Sequence, residues 1–521
     1  MAGVVRLPEK VLKKLNAHIL PAWKVCFFSA LLVGLVAHLY KITNWLPNWD
    51  SLVFRYDSQN MIALGRWFLP IVCSFSSFYD LPFLNGIAAI VFHALGAVCI
   101  CRIFNVQKKI TAFLIGSVIV SFPTVTSVMM YNYVADGYSL AFLLSTLAAF
   151  FMTKEKPRYI LAAVLIALSS GIYQAYITVT IMLVLLKLID EIIYNKAVFG
   201  ATLKKSGWML LTGILGVALY TVILKVLLNI FSVGLLDYQG INSSLTLSGI
   251  DLIGSLYSIK ETFINCFFDF SQGVNVYVVL NSFVLLFTIF YYLKDILKNK
   301  IYKNGNIFFI VVLSAMLILG AGALSFMNAT VDYHNLMRMG YCVFYLFFIV
   351  LYERGATSGE KLAYIKCWGV FLTGIVLIIN QVVISNVSYH KAQIAYEKSY
   401  GVLMRIADRI EQTPYSGDCD KILVIGALDN SEEYSVTLTP NITGITDGYI
   451  IRADDETVGQ SVLSSSLNDY CETDYEFVNG EEKEKLLSRN EVKSMEEWPS
   501  EGCVKVIDDT VIIKLGTEGE N

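Results

Sequence analysis

Charged residues are scarce in this chain. Only 16% of its 521 residues are Asp, Glu, Lys or Arg, whereas 55% are hydrophobic and the mean hydropathy is +0.58. Such a composition excludes an ordinary soluble enzyme and predicts a polytopic α-helical membrane protein. No nucleic-acid partner is expected.

Several familiar motifs are also missing. The ten cysteines show no metal-ligand spacing, so no zinc site is expected, although Cys419, Cys471 and Cys503 would allow one disulfide. No glycine-rich loop follows the strand pattern KILVIGALD, which argues against a nucleotide site. No small-residue cleavage site follows the first apolar run, so residues 1–24 are interpreted as an amphipathic helix on the cytoplasmic membrane surface and not as a signal peptide.

Apolar segments long enough to approach a membrane span recur along the chain. Eleven candidates are predicted, at residues 25–42, 83–101, 110–128, 134–152, 159–173, 175–193, 207–228, 275–293, 307–326, 339–352 and 365–385. We therefore expect a transmembrane domain over residues 25–385, with long outer loops at 43–82 and 229–274. The second loop has a pattern that favours short interfacial helices.

The charges are divided unevenly along the chain. Residues 1–385 carry 28 Lys+Arg and 16 Asp+Glu, whereas residues 386–521 carry 12 and 27. Twenty-two basic residues fall in the N-terminus and in alternate connections, which the positive-inside rule assigns to the cytoplasm. With eleven spans, the acidic region 386–521 would lie outside a plasma membrane.

The region 386–521 has the patterns of a small α/β domain. A helix is predicted over YHKAQIAYEKSYGVLMRIADRIEQ, and KILVIGALD has a strand pattern. Further helices are predicted at TVGQSVLSSSLNDY and EEKEKLLSRNEVKSM. The segment CVKVIDDTVIIKL is typical of a hairpin that turns at Asp508-Asp509.

Polar residues of the membrane part gather at one predicted depth. Asp50, Arg55, Asp57 and Arg66 stand in the first outer loop; Asp136, Tyr173, Gln174 and Arg338 stand at the outer ends of spans. An ion-coupled transporter would be expected to place such groups near the bilayer midplane, in matching positions of two repeats. The pattern instead favours a site at the outer interface.

Chemistry at that interface would need a membrane-borne substrate. No nucleotide sugars are available outside the cytoplasm, so a group-transfer enzyme there would use a sugar linked to polyprenyl phosphate. A carboxylate would accept the proton of the attacking hydroxyl, and an arginine would bind the phosphate through its planar fork.

The residues also carry a family resemblance. The acidic first loop ending in Gly65-Arg66, the stretches YNYVADGYSLAFLLS and GIYQAYITV, and the closing NVSYHKAQIAYEKSYGVLMRIADRIE occur in order. Together they resemble the type II O-antigen glucosyl transferase family, which is placed with the GT-C glycosyltransferases. The resemblance implies a GT-C-like fold and an inverting transfer of a hexose, with glucose expected, from a polyprenyl-phosphate sugar to a polysaccharide or glycolipid acceptor.

The resemblance also implies roles in the first loop. Asp50 matches the leading acidic position and is the expected catalytic base. The family pattern has two adjacent acids where this chain has Asp50-Ser51. Asp57, seven residues further on and on the same face if the segment is helical, is the second candidate. Arg66, in the matching Gly65-Arg66 pair, is expected to contact the donor phosphate or the acceptor sugar.

Further residues would complete the site. Asp136 would bind or orient a sugar hydroxyl, with support from Tyr173 and Gln174. Arg338, an exception to the positive-inside pattern, is expected to bind phosphate. Neither a metal nor another cofactor is expected.

Each assignment has a structural alternative. Asp50 could cap a helix over SLVFRYDSQNMIALGRW, and Asp136 could cap its span. Arg66 could extend to lipid headgroups, and Arg338 could anchor its segment there. Gln174 could bind a neighbouring helix. Two other functions also stay open, namely a lipid-linked-saccharide transporter and a surface polysaccharide polymerase or ligase.

Overall fold

The computed structural model describes residues 19–54, 61–195, 197–236, 251–271, 273–303, 305–331, 333–354, 361–428, 442–451, 462–463, 465–467, 469 and 474–516. The chain forms two compact units. The membrane unit comprises residues 1–43, 58–386 and 437–443, and the C-terminal unit comprises residues 44–57, 387–436 and 444–521. The first predicted outer loop therefore contributes to both units.

Helices dominate the described part of the chain. They are α1 Pro21–Thr43, α2 Trp49–Val53, α3 Leu69–Cys73, α4 Pro82–Ile103, α5 Lys109–Ser121, α6 Pro123–Met130, α7 Ala135–Thr153, α8 Tyr159–Ile172, α9 Ile177–Tyr194, α10 Phe199–Phe231, α11 Leu252–Phe268, α12 Val276–Lys298, α13 Asn306–Ala321, α14 Cys342–Arg354, α15 Lys361–Gln412, α16 Gly480–Leu487 and α17 Asn490–Lys493. Proline opens α1, α4 and α6, where its missing N–H costs nothing because the first turn has no intrahelical acceptor.

Seven helical stretches among the described residues are long and apolar enough to cross a bilayer. They are Pro21–Thr43, Pro82–Ile103, Lys109–Met130, Asn132–Thr153, Phe199–Phe231, Val276–Lys298 and Leu362–Gln412. This confirms a polytopic helical membrane protein. Each of the eleven predicted segments overlaps a helix, but the count of eleven spans is not confirmed. The helices α8, α13 and α14 have only 14, 16 and 13 residues, and α9, with 18 residues, is not among the seven stretches.

The candidate spans differ in how deeply they are packed. Of the 18 most apolar consecutive residues in Lys109–Met130, 94% are buried. In α10 only 11% of the corresponding residues are buried. The first stretch lies inside the bundle and α10 at its lipid-facing periphery. Small residues allow close helix contacts: a Cβ on Gly116 of α5 would overlap the carbonyl oxygen of Cys26 in α1.

The second predicted outer loop contains one described helix. The helix α10 ends at Phe231, and α11 follows from Leu252, capped by the Asp251 side chain, which accepts from the Gly254 N–H at 2.9 Å. Residues 237–250 lie outside the described residues.

The C-terminal unit contains a four-stranded mixed sheet. Its strands are β1 Lys421–Ile425, β2 Glu476–Phe477, β3 Val504–Ile507 and β4 Thr510–Lys514, in the order β2-β1-β4-β3. Strand β1 pairs in parallel with β2 and β4, and β3 pairs antiparallel with β4. Asp508 and Asp509 join β3 to β4 with φ of 47° and 58°, as a two-residue hairpin turn requires. The predicted strand and hairpin are confirmed.

Other predictions for this region have mixed outcomes. The helix predicted over residues 389–412 is confirmed as the end of α15, and the segment EEKEKLLSRNEVKSM forms two short helices, α16 and α17. The stretch 457–470 and the N-terminal residues 1–18 lie largely or wholly outside the described residues. Cys419 and Cys503 are buried free thiols in the structure, and Cys471 is not among the described residues.

Ion pairs join helix ends at one end of the membrane unit, where α9, α12 and α14 end and α15 begins. We call this the lysine-rich end. Arg354 donates to both carboxylate oxygens of Asp190, at 2.9 and 2.8 Å. Lys366 Nζ lies 2.8 Å from Asp295 Oδ2, with both side chains largely buried. Glu353 accepts backbone hydrogen bonds at the N-terminus of α5. Basic residues that predicted the orientation therefore also link helices.

The Lys366–Asp295 pair yields a stability prediction. Lys366→Met leaves a buried carboxylate without its cation, so we expect a loss of about 3–5 kcal/mol in unfolding free energy. Thermal unfolding of the purified chain in detergent would measure it. Lys260→Met is the matched control, because the Lys260–Glu261 pair is solvent-exposed, with side chains 62% and 40% accessible, and should contribute little. Equal stability of both variants would contradict the prediction.

Candidate active site

A tight turn over residues 61–65, with Gly65 as its last residue, lies near the middle of the first outer loop. The Gly65 N–H donates to the Ile62 carbonyl at 2.9 Å, and the Arg66 N–H donates to the Met61 carbonyl at 2.7 Å. Gly65 has φ +75°, which favours glycine. The helix predicted over residues 51–67 is therefore wrong: α2 ends at Val53, and the described residues 61–65 form a turn instead.

Gln174 and Tyr220 hold this turn from two other segments. Gln174 Nε2 donates to the Leu64 carbonyl at 3.2 Å and to Tyr220 Oη at 3.0 Å. Tyr220 Oη in turn donates to the Gly65 carbonyl at 3.1 Å. Gln174 thus does bind a neighbouring helix, α10, and in the same contact it supports the Gly65-Arg66 pair.

Arg66 is buried against aromatic rings. Only 7% of the residue is exposed, and its guanidinium lies 5.1 Å from the Tyr173 ring centroid and 5.9 Å from that of Tyr138. The two rings are stacked at 4.4 Å with an angle of 8°. Cation–π contact with such a pair fixes the guanidinium in place. Arg66 therefore does not extend to a headgroup surface.

Asp136 lies in the first turn of α7 and is 6% exposed. Its Oδ1 accepts from the Gly137 N–H at 2.9 Å, and its carboxylate also interacts with the Ser76 hydroxyl. The N-cap residue of α7 is Val134, so Asp136 does not cap its span, although its charge is favourable at a helix N-terminus.

A second polar cluster adjoins Asp136 and was missed in the sequence. Asn132 Nδ2 donates to Asp80 Oδ1 at 2.6 Å, and Asn85 Nδ2 donates to the Asn132 carbonyl at 2.8 Å. The fully buried ammonium of Lys41 interacts electrostatically with Asp80. Lys41 stands at the end of the predicted span 25–42 and Asp80 in the predicted loop 43–82, so no local pattern links them; their burial shows that they belong together.

The two clusters share one pair of segments. Ser76 and Asp80 are four residues apart, and so are Asn132 and Asp136. Ser76 contacts Asp136 and Asp80 contacts Asn132, so the two segments run antiparallel. The loop after Arg66 therefore packs along the N-terminus of α7. Gly137 permits this approach, because a Cβ there would lie 2.5 Å from Leu69.

Arg338 lies on a neighbouring segment of the membrane unit. Its Nε donates to the Tyr333 carbonyl, and its Nη1 is 4.0 Å from Cys266 Sγ. The segment packs on the start of α9, since a Cβ on Gly340 would lie 2.7 Å from Thr178 Oγ1. The half-buried Arg338 thus belongs to the protein interior at the Gln174 end of α9.

Asp50 belongs to the C-terminal unit. It stands in the first turn of α2, whose N-cap is Asn48, with Asn48 Oδ1 accepting from the Ser51 N–H at 2.8 Å. The alternative in which Asp50 caps the helix is therefore wrong. Within this unit Leu52 packs with Ile450. Asp57 lies outside the described residues, and α2 ends before it, so helical spacing no longer relates it to Asp50.

A comparison with protein families identifies the reaction class. The family model described as glucosyl transferase GtrII matches residues 39–351, more than half of the chain. The chain belongs to this family. Neither a curated protein nor a solved structure matches significantly. The GtrII match confirms the resemblance to type II glucosyl transferases, and with the apolar helices it identifies a membrane glycosyltransferase.

The GtrII match includes every residue proposed from the sequence for the site, from Asp50 to Arg338. Within the membrane unit the structure brings Gly65, Arg66, Tyr173 and Gln174 into one cluster. Among the described residues, no group of three or more His, Cys, Asp or Glu side chains is placed to hold a metal ion.

The Gly65 turn yields a second prediction. Gly65→Ala places a Cβ 2.6 Å from Tyr220 Oη at a positive φ, so we expect a loss of about 1–3 kcal/mol in stability together with reduced glucosyl transfer. Gly207→Ala is the control, because nothing lies within 4 Å of its Cβ in α10 and alanine favours a helix. Thermal unfolding and transfer assays on both variants would test this. Wild-type behaviour of Gly65→Ala would refute the role of the turn.

Proposed function

We propose that this GtrII-family protein transfers a hexose, with glucose expected, from a polyprenyl-phosphate sugar to an acceptor such as a cell-surface polysaccharide or glycolipid. The observation that carries the proposal is the buried Arg66 guanidinium on the Tyr138–Tyr173 stack, in the family-matched part of the chain. A fixed arginine suits a phosphate leaving group, because its planar fork donates two hydrogen bonds.

The proposed reaction is a single inverting displacement. The acceptor hydroxyl attacks the anomeric carbon, the bond from that carbon to the phosphate oxygen breaks, and polyprenyl phosphate leaves with the electron pair. A carboxylate accepts the hydroxyl proton. Asp50 is the proposed base, with Asp57 as its competitor. The proposal includes neither a metal nor another cofactor.

Other residues bind the two substrates in this scheme. Arg66 and Arg338 stabilise the negative charge that develops on the leaving phosphate. Asp136, buried at the N-terminus of α7, orients a sugar hydroxyl. Tyr173 and Gln174 act through Arg66 and the Gly65 turn, so they are positioning residues.

The proposed orientation places the site outside a plasma membrane. The positive-inside rule predicts a cytoplasmic N-terminus and an extracytoplasmic C-terminal unit. A polyprenyl-linked donor fits that location, because it carries its activated sugar within the membrane. The glucosyl transferase family match favours this enzyme over a transporter of lipid-linked saccharides.

Replacing each candidate aspartate by asparagine tests which residue is the catalytic base. We expect Asp50→Asn to abolish transfer of labelled glucose from polyprenyl-phosphate-glucose in membranes, with the protein level unchanged, because an amide cannot accept the hydroxyl proton. Asp57→Asn should retain activity if Asp50 acts alone. Asp269→Asn, a loop position, is the control. Full activity of the Asp50→Asn/Asp57→Asn double variant would eliminate both residues as the base.

Two separate arginine-to-lysine variants, one at Arg66 and one at a control position, test the proposed phosphate contact. Arg66→Lys keeps the charge but loses the planar fork, so we expect kcat/KM for the donor to fall about 10–100-fold. Arg102→Lys is the matched control, because Arg102 also lies over aromatic rings, 4.4 Å from Phe150 and 5.3 Å from Trp23, at the lysine-rich end. Equal activity of the two variants would argue against a phosphate role for Arg66.

Donor choice separates the proposal from a polymerase or ligase. Transfer from a monosaccharide monophosphate lipid, and none from an oligosaccharide diphosphate lipid, is the expected outcome. The reverse preference would overturn the proposed donor while leaving the family assignment intact.

A further inference from the structure

One segment of the C-terminal region belongs to the membrane unit. Residues 437–443 fall in that unit, although the residues on either side of them belong to the C-terminal unit. Ile442 and Thr443 are the described residues of this segment; Ile442 is 4% exposed and Thr443 is half-buried. Both lie beyond residues 39–351, which the GtrII family model matches. The C-terminal region therefore contributes residues to the unit that contains most of the candidate active site.

Thr443 contacts the segment that leads into Arg338. The Asn335 N–H donates to Thr443 Oγ1 at 3.1 Å, and Thr124 Oγ1 of α6 donates to the Asn335 carbonyl at 2.8 Å. Thr124 is 1% exposed, so its contact lies inside the helix bundle. Both backbone polar groups of Asn335 are therefore held by side chains from segments far away in sequence.

Asn335 in turn fixes the backbone of Arg338. The Arg338 N–H donates to the Asn335 carbonyl at 3.2 Å, as expected for the 3₁₀ turn Asn335–Met337. The Arg338 side chain is held by the same segment, because its Nε donates to the Tyr333 carbonyl. The Tyr333 hydroxyl donates to the Leu324 carbonyl at 2.7 Å and so anchors that end of the segment. Movement of Asn335 would therefore displace the Arg338 guanidinium.

We propose that Thr443 is a positioning residue for Arg338 and hence for the donor phosphate. Asn335 is half-buried, and an N–H in such a place is costly to leave without an acceptor. Loss of the Thr443 hydroxyl would make the turn shift toward another acceptor, and Arg338 would shift with it. This positioning role rests on the proposed function, in which Arg338 stabilises the leaving phosphate. It gives the C-terminal region, which lies outside the family match, a task in the reaction.

Hydrogen exchange tests the contact without an activity assay. In the detergent-purified full chain, the Asn335 amide should exchange about tenfold faster in Thr443→Val, which keeps the shape of the side chain but removes its acceptor. Thr443→Ser retains the hydroxyl and should exchange like the wild type. Thr446→Val is the matched control, because Thr446 Oγ1 accepts locally from the Gly448 N–H at 3.0 Å. Equal exchange of the Asn335 amide in Thr443→Val and the wild type would overturn the proposal.

Steady-state kinetics test the positioning. Thr443→Val should raise KM for polyprenyl-phosphate-glucose about 3–10-fold and leave KM for the acceptor unchanged, because the phosphate contact alone is affected. Thr443→Ser should restore the wild-type KM, and Thr446→Val should match the wild type. A fall in kcat with both KM values unchanged would indicate a loss of folded enzyme instead and would contradict a positioning role. An equal rise in both KM values would contradict it as well.

Arg338→Gln separates the positioning role from the proposed function. Without the guanidinium, kcat/KM for the donor should fall about 100-fold. Adding Thr443→Val should then cause no further loss, because residues that act through one contact are non-additive. Wild-type kcat/KM in Arg338→Gln would eliminate the phosphate role of Arg338 and the task of Thr443 with it. If Arg338→Gln is impaired but Thr443→Val is not, or if their effects multiply, the role of Thr443 alone fails.

Discussion

The turn at Gly65 is the constraint on which the candidate active site depends. Its positive φ reverses the chain so that its carbonyl meets Tyr220 and the next residue, Arg66, meets Tyr173. Gln174 contacts both the turn and Tyr220. Three segments far apart in sequence therefore converge through polar contacts at one glycine. A buried polar group without a hydrogen-bond partner costs free energy in an apolar environment. The turn and its partners therefore stabilise one another.

The buried charges beyond the turn follow from the same packing. Because the chain leaves Arg66 along the N-terminus of α7, Asp80 meets Asn132, and Ser76 meets Asp136. The ordering of this segment determines where each carboxylate lies. A change in the turn would therefore be expected to alter Asp136 and its surroundings as well as Arg66.

Local patterns predicted much of this architecture. Hydropathy located helices at all eleven expected segments, and Asp508-Asp509 marked the hairpin correctly, because span and turn signals depend on neighbouring residues alone. Grouping Arg66, Tyr173 and Gln174 at one site needed the family resemblance in addition. Helical spacing failed over residues 51–67, since the periodic pattern continues across Gly65 although its backbone turns there.

Burial is the property that the sequence could not provide. Lys41 and Lys260 are both lysines of the membrane unit, yet Lys41 is fully buried beside Asp80 and the Lys260 side chain is 62% exposed. A buried ammonium needs a partner because its desolvation is costly, whereas an exposed one does not. Hydropathy averages over a window cannot separate the two cases. The Lys41–Asp80 interaction depends on residues 39 positions apart, and only the packed helices bring them together.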